Sequence, residues 1–115
     1  VIIRACARAK GAYPYRQHMR IGREAGLSEA TLQGLRALSP DALEGEAGIV
    51  ASMVDDLFAD NFVHDENWQQ AQTYLTTAQI MDTIVISGFY LLVSSILNVA
   101  RTPLESGPDS LPAHF

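Results

Sequence analysis

The chain has 115 residues, 48% of them hydrophobic, which suffices for one domain with a single modest core and excludes a disordered chain. Its formal net charge of -5 argues against a nucleic-acid-binding surface, because phosphate binding needs a basic footprint. The single cysteine, Cys6, excludes an intrachain disulfide and a C-x-x-C redox pair. We therefore expect a cytoplasmic protein that binds no nucleic acid.

The first ten residues predict a short helix. Ile2, Ile3, Cys6 and Ala7 share one apolar face, so we expect Cys6 to be a small buried hydrophobic residue. The rest of this helix carries its basic residues, Arg4, Arg8 and Lys10. The chain opens on an apolar run that has no helix start signal and does not resemble a signal peptide. We therefore expect that sequence upstream of this run is missing.

The segment from Tyr13 to Gly26 has the strongest local organisation in the chain. Pro14 suits the first turn of a helix, and Gly26 suits a left-handed cap at its end. The residues spaced to share the front of this helix are Tyr15, His18, Met19 and Gly22, and those mostly on its basic back are Arg16, Arg20, Arg23 and Glu24. His18 is thus an imidazole on a half-apolar face, either a functional group or a structural residue of the core.

Further helices follow in the middle of the chain. Ser28 is a good N-cap for a helix that buries Leu32 and Leu35. Ser39-Pro40-Asp41 repeats the same start signal, whereas the glycine-containing segment 43–48 is interpreted as a loop or a frayed turn. An amphipathic helix then ends near residues 60–61. Its polar face carries Asp55, Asp56 and Asp60, which we interpret as solvated rather than as a cation site.

The C-terminal half contains a short helix capped by Asp65 and then the longest helix, from Thr77 to about Ala100. Thr76 and Gln79 match a capping box at its start. From Ile84 onward this helix carries no charge and is apolar almost all round, and such helices are buried in a core or span a membrane. It is at the short limit for a bilayer span. We therefore expect burial between the subunits of an oligomer and no membrane insertion.

A stripe of polar residues runs along this last helix. Its members are Thr83, Ser87, Tyr90, Ser94 and Asn98. The stripe is either a packing seam, in which small hydroxyls bond back to the preceding turn, or the wall of a polar pocket with the phenol of Tyr90 as a donor.

Residues 102–115 are rich in Pro, Gly and Ser, and we expect an extended arm that wraps a neighbour or is disordered. No strand-like alternation and no repeat is present. The sequence therefore predicts an all-α fold, with a single domain in residues 1–101 followed by the arm. None of His18, His64 and His114 has a second ligand at i+3 or i+4, so we expect no metal site.

Two stretches resemble the carboxymuconolactone decarboxylase family, which includes the alkyl hydroperoxidase D proteins. The first is R-A-C-A-R-A-K-G-A-Y-P-Y-R-Q-H-M-R-I-G-R-E-A-G-L-S, which is similar to the family's Y-E-W-x-x-H and R-I-x-R-E-x-G-L motifs. The second runs from Leu75 to Glu105, where the family has a long apolar helix with G-F-Y and a P-L-E-like tail. The resemblance implies an all-α fold of about five to six helices that assembles as trimers or hexamers.

The resemblance also implies roles for single residues. His18 matches the family's histidine, a proton shuttle or orienting base, and Tyr13 and Tyr15 match the aromatic positions around it. The hydroperoxidase branch has a C-x-x-C pair whose positions are Gly11 and Pro14 here, so we expect no thiol peroxidase activity.

Two functions are expected from these observations. The first is proton transfer or decarboxylation on a small anionic ring or keto-acid compound, with His18 as the catalytic residue and no cofactor. The residues expected to bind the substrate are Tyr13, Tyr15, Arg16, Ser87 and Tyr90. The alternative is a non-catalytic oligomer of the same fold that binds a small molecule or has a structural role.

Overall fold

The computed structural model describes residues 1–115, which form six α-helices and no β-strand. In chain order the helices are α1 (Ile2–Arg8), α2 (Ala12–Glu24), α3 (Glu29–Arg36), α4 (Gly45–Asp60), α5 (Asp65–Tyr74) and α6 (Thr77–Val99). The prediction of an all-α chain with five to six helices is confirmed.

Several helix ends lie where local signals predicted them. The side chain of Ser28 accepts a hydrogen bond from the backbone amide of Thr31 at the start of α3. Thr76 and Gln79 form the reciprocal capping box at the start of α6. Gly26, just beyond α2, has a φ of 93°, the left-handed conformation that glycine adopts without strain. These ends were predictable because each signal acts within one turn of chain.

The start of α4 differs from the prediction. Ser39-Pro40-Asp41 begins no helix but belongs to a turn, in which the amide of Leu43 donates to the carbonyl of Pro40 at 2.8 Å. The helix starts at Gly45, inside the segment interpreted as a loop. The side chain of Leu43 fills the space that a Cβ at Gly34 would occupy, so the turn packs onto α3. The start of α4 therefore depends on a contact with α3 that the local sequence does not reveal.

α5 also differs slightly from the prediction, because His64 is its N-cap and Asp65 is its first residue. Asp56 accepts hydrogen bonds from the amide of His64 at 2.9 Å and from the side chain of Asn67 at 2.8 Å. Asp60 lies 2.9 Å from Nε2 of His64, and this contact raises the pKa of the imidazole. The acidic face of α4 therefore holds the α4–α5 connection in place.

The main core surrounds α1, which packs against α2, α3, α4 and α6. Its fully or largely buried residues are Ile3, Cys6, Ala7, Tyr15, Met19, Leu32, Leu35 and Ala51. Cys6 is the buried hydrophobic residue that the sequence predicted, and burial raises the pKa of its thiol to about 12. A smaller cluster joins α4, α5 and α6 through Met53, Ala71, Leu75 and Ile80.

Arg4 is fully buried, which corrects its expected place on the basic side of α1. Its Nε donates to Oδ1 of Asp55 at 2.7 Å, and its other nitrogens donate to the carbonyls of Leu35 and Leu38 at 3.1 and 3.0 Å. Asp55 also lies 3.7 Å from Arg8 and is therefore not part of a solvated face. The pair is buried because each charge neutralises the other, whereas an unpaired buried charge is strongly destabilising.

α6 has its polar stripe on the inside and apolar residues on the outside. Thr83, Ser87 and Ser94 are buried, and the hydroxyls of Thr83 and Ser87 donate to carbonyls one turn earlier at 2.8 and 2.6 Å. These residues form a packing seam. The exposed apolar residues of α6 are Met81, Val85, Phe89, Leu91, Leu92, Ile96 and Val99. By length and composition alone α6 could cross a membrane, and 22% of its most apolar window is buried.

The C-terminal arm, residues 102–115, folds back onto α2 and α3 of its own chain. This corrects the expectation that the arm wraps a neighbour or is disordered. Asp109 is buried and forms ion pairs with Arg23 and Arg36, while the ring of His114 donates to the carbonyl of Arg36 at 2.9 Å. The ring of Phe115 packs against the main core. The arm is ordered because its carboxylates and its apolar end both find partners on the helices.

Candidate functional site

α2 holds the ring of His18 in one orientation. Nδ1 of His18 lies 2.8 Å from the carbonyl oxygen of Pro14, one turn earlier in the helix. A carbonyl oxygen can only accept a hydrogen bond, so Nδ1 carries the hydrogen in this contact. In the neutral imidazole the other nitrogen, Nε2, is then an acceptor.

Tyr90 on α6 supplies the matching donor. Its hydroxyl lies 3.0 Å from Nε2 of His18, and the two rings meet edge to face with their centroids 5.0 Å apart. Since Nε2 accepts in this tautomer, the phenol donates. A continuous chain of hydrogen bonds therefore runs from the carbonyl of Pro14 through the imidazole to the phenol.

The phenol of Tyr90 is protonated at neutral pH, and its surroundings favour this form further. The side chain is half-buried, and burial is the main reason that its pKa is raised above the ordinary value. A negative charge on the nearby Cys6 would raise that pKa further. Phe89, which is exposed, packs edge to face against the Tyr90 ring at 5.6 Å. Tyr90 is therefore a proton donor at neutral pH that lies between the core and the exposed face of α6.

A close approach of backbones allows α6 to reach α2. Gly11 is the N-cap of α2, and a Cβ at this position would lie 2.6 Å from Cβ of Ser94 on α6. Any larger residue at Gly11 would push the two helices apart. Ser94 and Tyr90 lie one turn apart on α6. The contact at Gly11 therefore also sets the position of Tyr90, along the axis of α6, relative to His18.

The other residues that the sequence assigned to this site make no hydrogen bond to His18 or Tyr90. Tyr13 is half-buried, and its hydroxyl makes no hydrogen bond within the chain. Tyr15 is fully buried, with a hydroxyl that has no partner. Arg16 donates from Nε to the carbonyl of Asp109 at 3.0 Å and is held by the arm. Of the predicted set, the structure brings together His18 and Tyr90.

Ser87 is bonded to its own helix and lines a different part of the surface. It borders a mostly apolar hollow between α4 and α6, together with Leu57, Phe58, Ile84 and Leu91. This hollow and the other four main surface hollows have neither His18 nor Tyr90 in their walls. No group of three or more His, Cys, Asp or Glu side chains is arranged to hold a metal ion.

Sequence reasoning missed two charged clusters. The first is the buried pair of Arg4 and Asp55, which lie 51 residues apart, so no local pattern links them. The second gathers Arg16, Arg23 and Arg36 around Asp109 of the arm. The helical spacing of Arg16 and Arg23 was a visible signal for the second cluster, but their acidic partner comes from the opposite end of the chain.

Comparisons with models of known protein families, with functionally characterised proteins and with solved structures found no match. The family resemblance therefore rests on the motif residues themselves. Among them, His18 lies on α2 and Tyr90 lies on α6, and these two side chains are in direct contact.

Proposed function

We propose that this chain is a carboxymuconolactone decarboxylase-like protein in which His18 and Tyr90 transfer a proton at a carbon next to a carbonyl group. The substrate class is a small anionic ring or keto-acid compound. The observation that carries the proposal is the 3.0 Å contact between the hydroxyl of Tyr90 and Nε2 of His18, whose Nδ1 is held by a backbone carbonyl. General acid–base catalysis needs an imidazole with a fixed orientation and tautomer, and this contact pair supplies both.

The geometry supports a relay of two protons. In the forward direction the oxygen of Tyr90 takes a proton from the substrate carbon while it gives its own proton to Nε2 of His18. The resulting imidazolium is stabilised by the carbonyl of Pro14, which accepts from Nδ1–H. In the reverse direction the phenol protonates an enolate and is itself protonated again by the imidazolium. For the enolate that remains after loss of CO2, His18 must first take a proton from solvent to become the imidazolium. Both half-reactions conserve protons, so the pair needs no cofactor.

Thiol peroxidase chemistry is not part of the proposal. Such chemistry needs a thiolate and a resolving thiol. Cys6 is fully buried with a pKa of about 12, and no second cysteine exists in the chain.

A second function, that of a non-catalytic binding or structural protein, is favoured by one observation. Neither His18 nor Tyr90 lines any of the five main surface hollows. The lone pair of Nε2 of His18 already accepts a hydrogen bond from the phenol of Tyr90. In this function the pair would serve to join α2 to α6.

We also propose that the protein assembles as a homo-oligomer, a trimer or a hexamer, in the cytoplasm. The support is the exposed apolar side of α6, which includes Phe89, Leu92 and Ile96. Apolar side chains that are repeated along one exposed helix face are typical of a protein interface. Phe89 touches Tyr90, so a neighbour that covers this face would also enclose the proposed site.

Proton transfer can be tested without knowing the natural substrate. Keto acids and lactones are incubated with the protein in D2O, and deuterium incorporation next to the carbonyl is followed by NMR. We expect exchange that falls more than tenfold in His18→Ala and in Tyr90→Phe. Ser95→Ala, an exposed hydroxyl on the same helix, is the matched control. Exchange that both variants retain would contradict catalysis by the pair, whereas binding without exchange would favour the second function.

A further inference from the structure

A polar hollow of about 260 Å³ lies between α2 and the C-terminal arm. No hydrophobic side chain lines it. Its walls are Arg16, Gln17, Arg20 and Arg23 of α2 and residues 105–109 of the arm.

The arm places a carboxylate at the edge of this hollow, in an arginine fork. The two terminal nitrogens of Arg23 donate to the two oxygens of Asp109 at 2.6 and 2.9 Å, and Arg36 lies 3.6 Å from the same carboxylate. The Asp109 side chain is only 6% exposed. Paired parallel bonds of this kind match the two oxygens of a carboxylate, as they also match two oxygens of a phosphate.

Two of the carboxylates that balance the cluster belong to the arm. The arginines are Arg16, Arg20, Arg23 and Arg36, and the acids around them are Glu24, Glu29, Glu105 and Asp109. Glu24 and Glu29 belong to α2 and α3, whereas Glu105 and Asp109 belong to the arm. Displacement of the arm would therefore remove two negative charges from the cluster. Arg16 donates only to backbone carbonyls of the arm, which are weaker partners than carboxylates.

The cluster is separate from the His18–Tyr90 pair. At 100° per residue, Arg16, Arg20 and Arg23 fall on one flank of the buried face of α2, and His18 falls on the opposite flank. A ligand on the arginines therefore need not touch the imidazole.

We propose that Arg16, Arg23 and Arg36 form a binding site for a small dicarboxylate, and that Asp109 of the arm occupies this site as a built-in competitor. One ligand carboxylate replaces Asp109 in the fork of Arg23, and the second takes the place of the arm carbonyls at Arg16. The ligand thereby restores the charge balance that the arm provides, and the arm is released.

The test uses succinate as the probe and isothermal titration calorimetry at constant ionic strength. We expect Asp109→Ala to bind succinate at least tenfold more tightly than the unmodified chain, because the internal competitor is gone. Asp82→Ala makes the same change in net charge at an exposed position of α6 and should not alter binding. Adding Arg23→Gln to Asp109→Ala should weaken binding at least tenfold.

Three outcomes would overturn the proposal. The first is binding by Asp109→Ala that is no tighter than that of the unmodified chain. The second is binding by Asp109→Ala that Arg23→Gln does not weaken. The third is equal affinity for sulfate, which has the same charge as succinate but a single anionic group. If Asp109→Ala does not fold, hydrogen exchange on the unmodified chain decides. Succinate should then accelerate amide exchange in residues 103–115, and sodium chloride of equal ionic strength should not. Equal exchange in both salts would refute the release of the arm.

Discussion

The hydroxyl of Tyr90 donates to Nε2 of His18 across 3.0 Å, although 72 residues separate the two in the chain. The contact joins the only histidine that lies on α2 to the polar stripe on the inner side of α6. Because Nδ1 of the same ring is bonded to the carbonyl of Pro14, both ring nitrogens have a defined role. The contact thus fixes the tautomer as well as the position of the imidazole.

Replacing Tyr90 with Phe removes the only donor to Nε2 of His18. We expect a loss of about 1 kcal/mol in the free energy of unfolding, the usual net value of one hydrogen bond. We also expect the ring nitrogens to shift in 15N NMR, since Nε2 then meets water instead of the phenol. Tyr74→Phe is the control, because the Tyr74 side chain is exposed and its hydroxyl has no partner. Unchanged His18 nitrogen shifts in Tyr90→Phe would show that the bond is not populated in solution.

Replacing Arg4 with Met should produce the largest loss of stability among single arginine variants. It leaves the carboxylate of Asp55 without its buried partner and removes donors to the carbonyls of Leu35 and Leu38. Breaking such a buried pair costs about 3–5 kcal/mol. Arg20→Met breaks only an exposed ion pair with Glu24 and should cost less than about 1 kcal/mol. Urea denaturation measures both, and similar losses in the two variants would contradict the burial of Arg4.

Substituting alanine at two glycines should change stability in opposite directions. At Gly11 the new Cβ overlaps Ser94 and separates α6 from α2, so we expect a loss of about 1–3 kcal/mol. Gly88 has no atom within reach of an added Cβ and lies inside α6, so Gly88→Ala should stabilise the helix by about 0.5–1 kcal/mol. Thermal unfolding compares the two variants. A neutral Gly11→Ala would mean that the helices are not in contact there.

Lysine on the outer face of α6 should dissociate the proposed oligomer. Leu92 and Ile96 are 56% and 57% exposed in the single chain, and a buried unpaired charge at an interface is strongly unfavourable. We expect Leu92→Lys to sediment as a monomer with unchanged helix content. Leu38→Lys, at a position 64% exposed in a turn, should leave the assembly unaffected. An unmodified chain that sediments as a monomer would rule out the oligomer proposal.

The contribution of Asp109 to stability should depend on pH in a defined direction. Hydrogen bonds from Arg23 are the main cause that lowers the pKa of Asp109 below its usual value. A lowered pKa means that the stabilisation is fully present above the unfolded-state value of about 3.9. It is lost as the pH falls through the lower folded-state value. Asp109→Asn should therefore be less stable than the unmodified chain at pH 6, and this difference should shrink as the pH falls below about 3.9, as measured by denaturation. A difference that does not change with pH would contradict the ion pair.

The sequence by itself determined the helices and many of their ends. Helix caps act on backbone groups within one turn, so a short stretch of sequence is enough to predict them. The examples here are Ser28, Thr76 and Gly26. Burial of Cys6 followed from the apolar periodicity of α1, and the place of His18 on the half-apolar face of α2 followed from helical spacing.

Only the tertiary structure decided which charges and hydroxyls meet. Arg4 was assigned to the basic side of α1 and Asp55 to a solvated face, because a charged residue is exposed unless a distant partner neutralises it. The arm was expected to wrap a neighbour or to be disordered, because Arg23, the partner of Asp109, lies 86 residues away in the chain. Within the polar stripe of α6, the sequence could not separate Ser87, which bonds to its own helix, from Tyr90, which reaches His18. Helix periodicity fixes the side of a helix on which a residue lies, but the packing of the helices determines what it touches there.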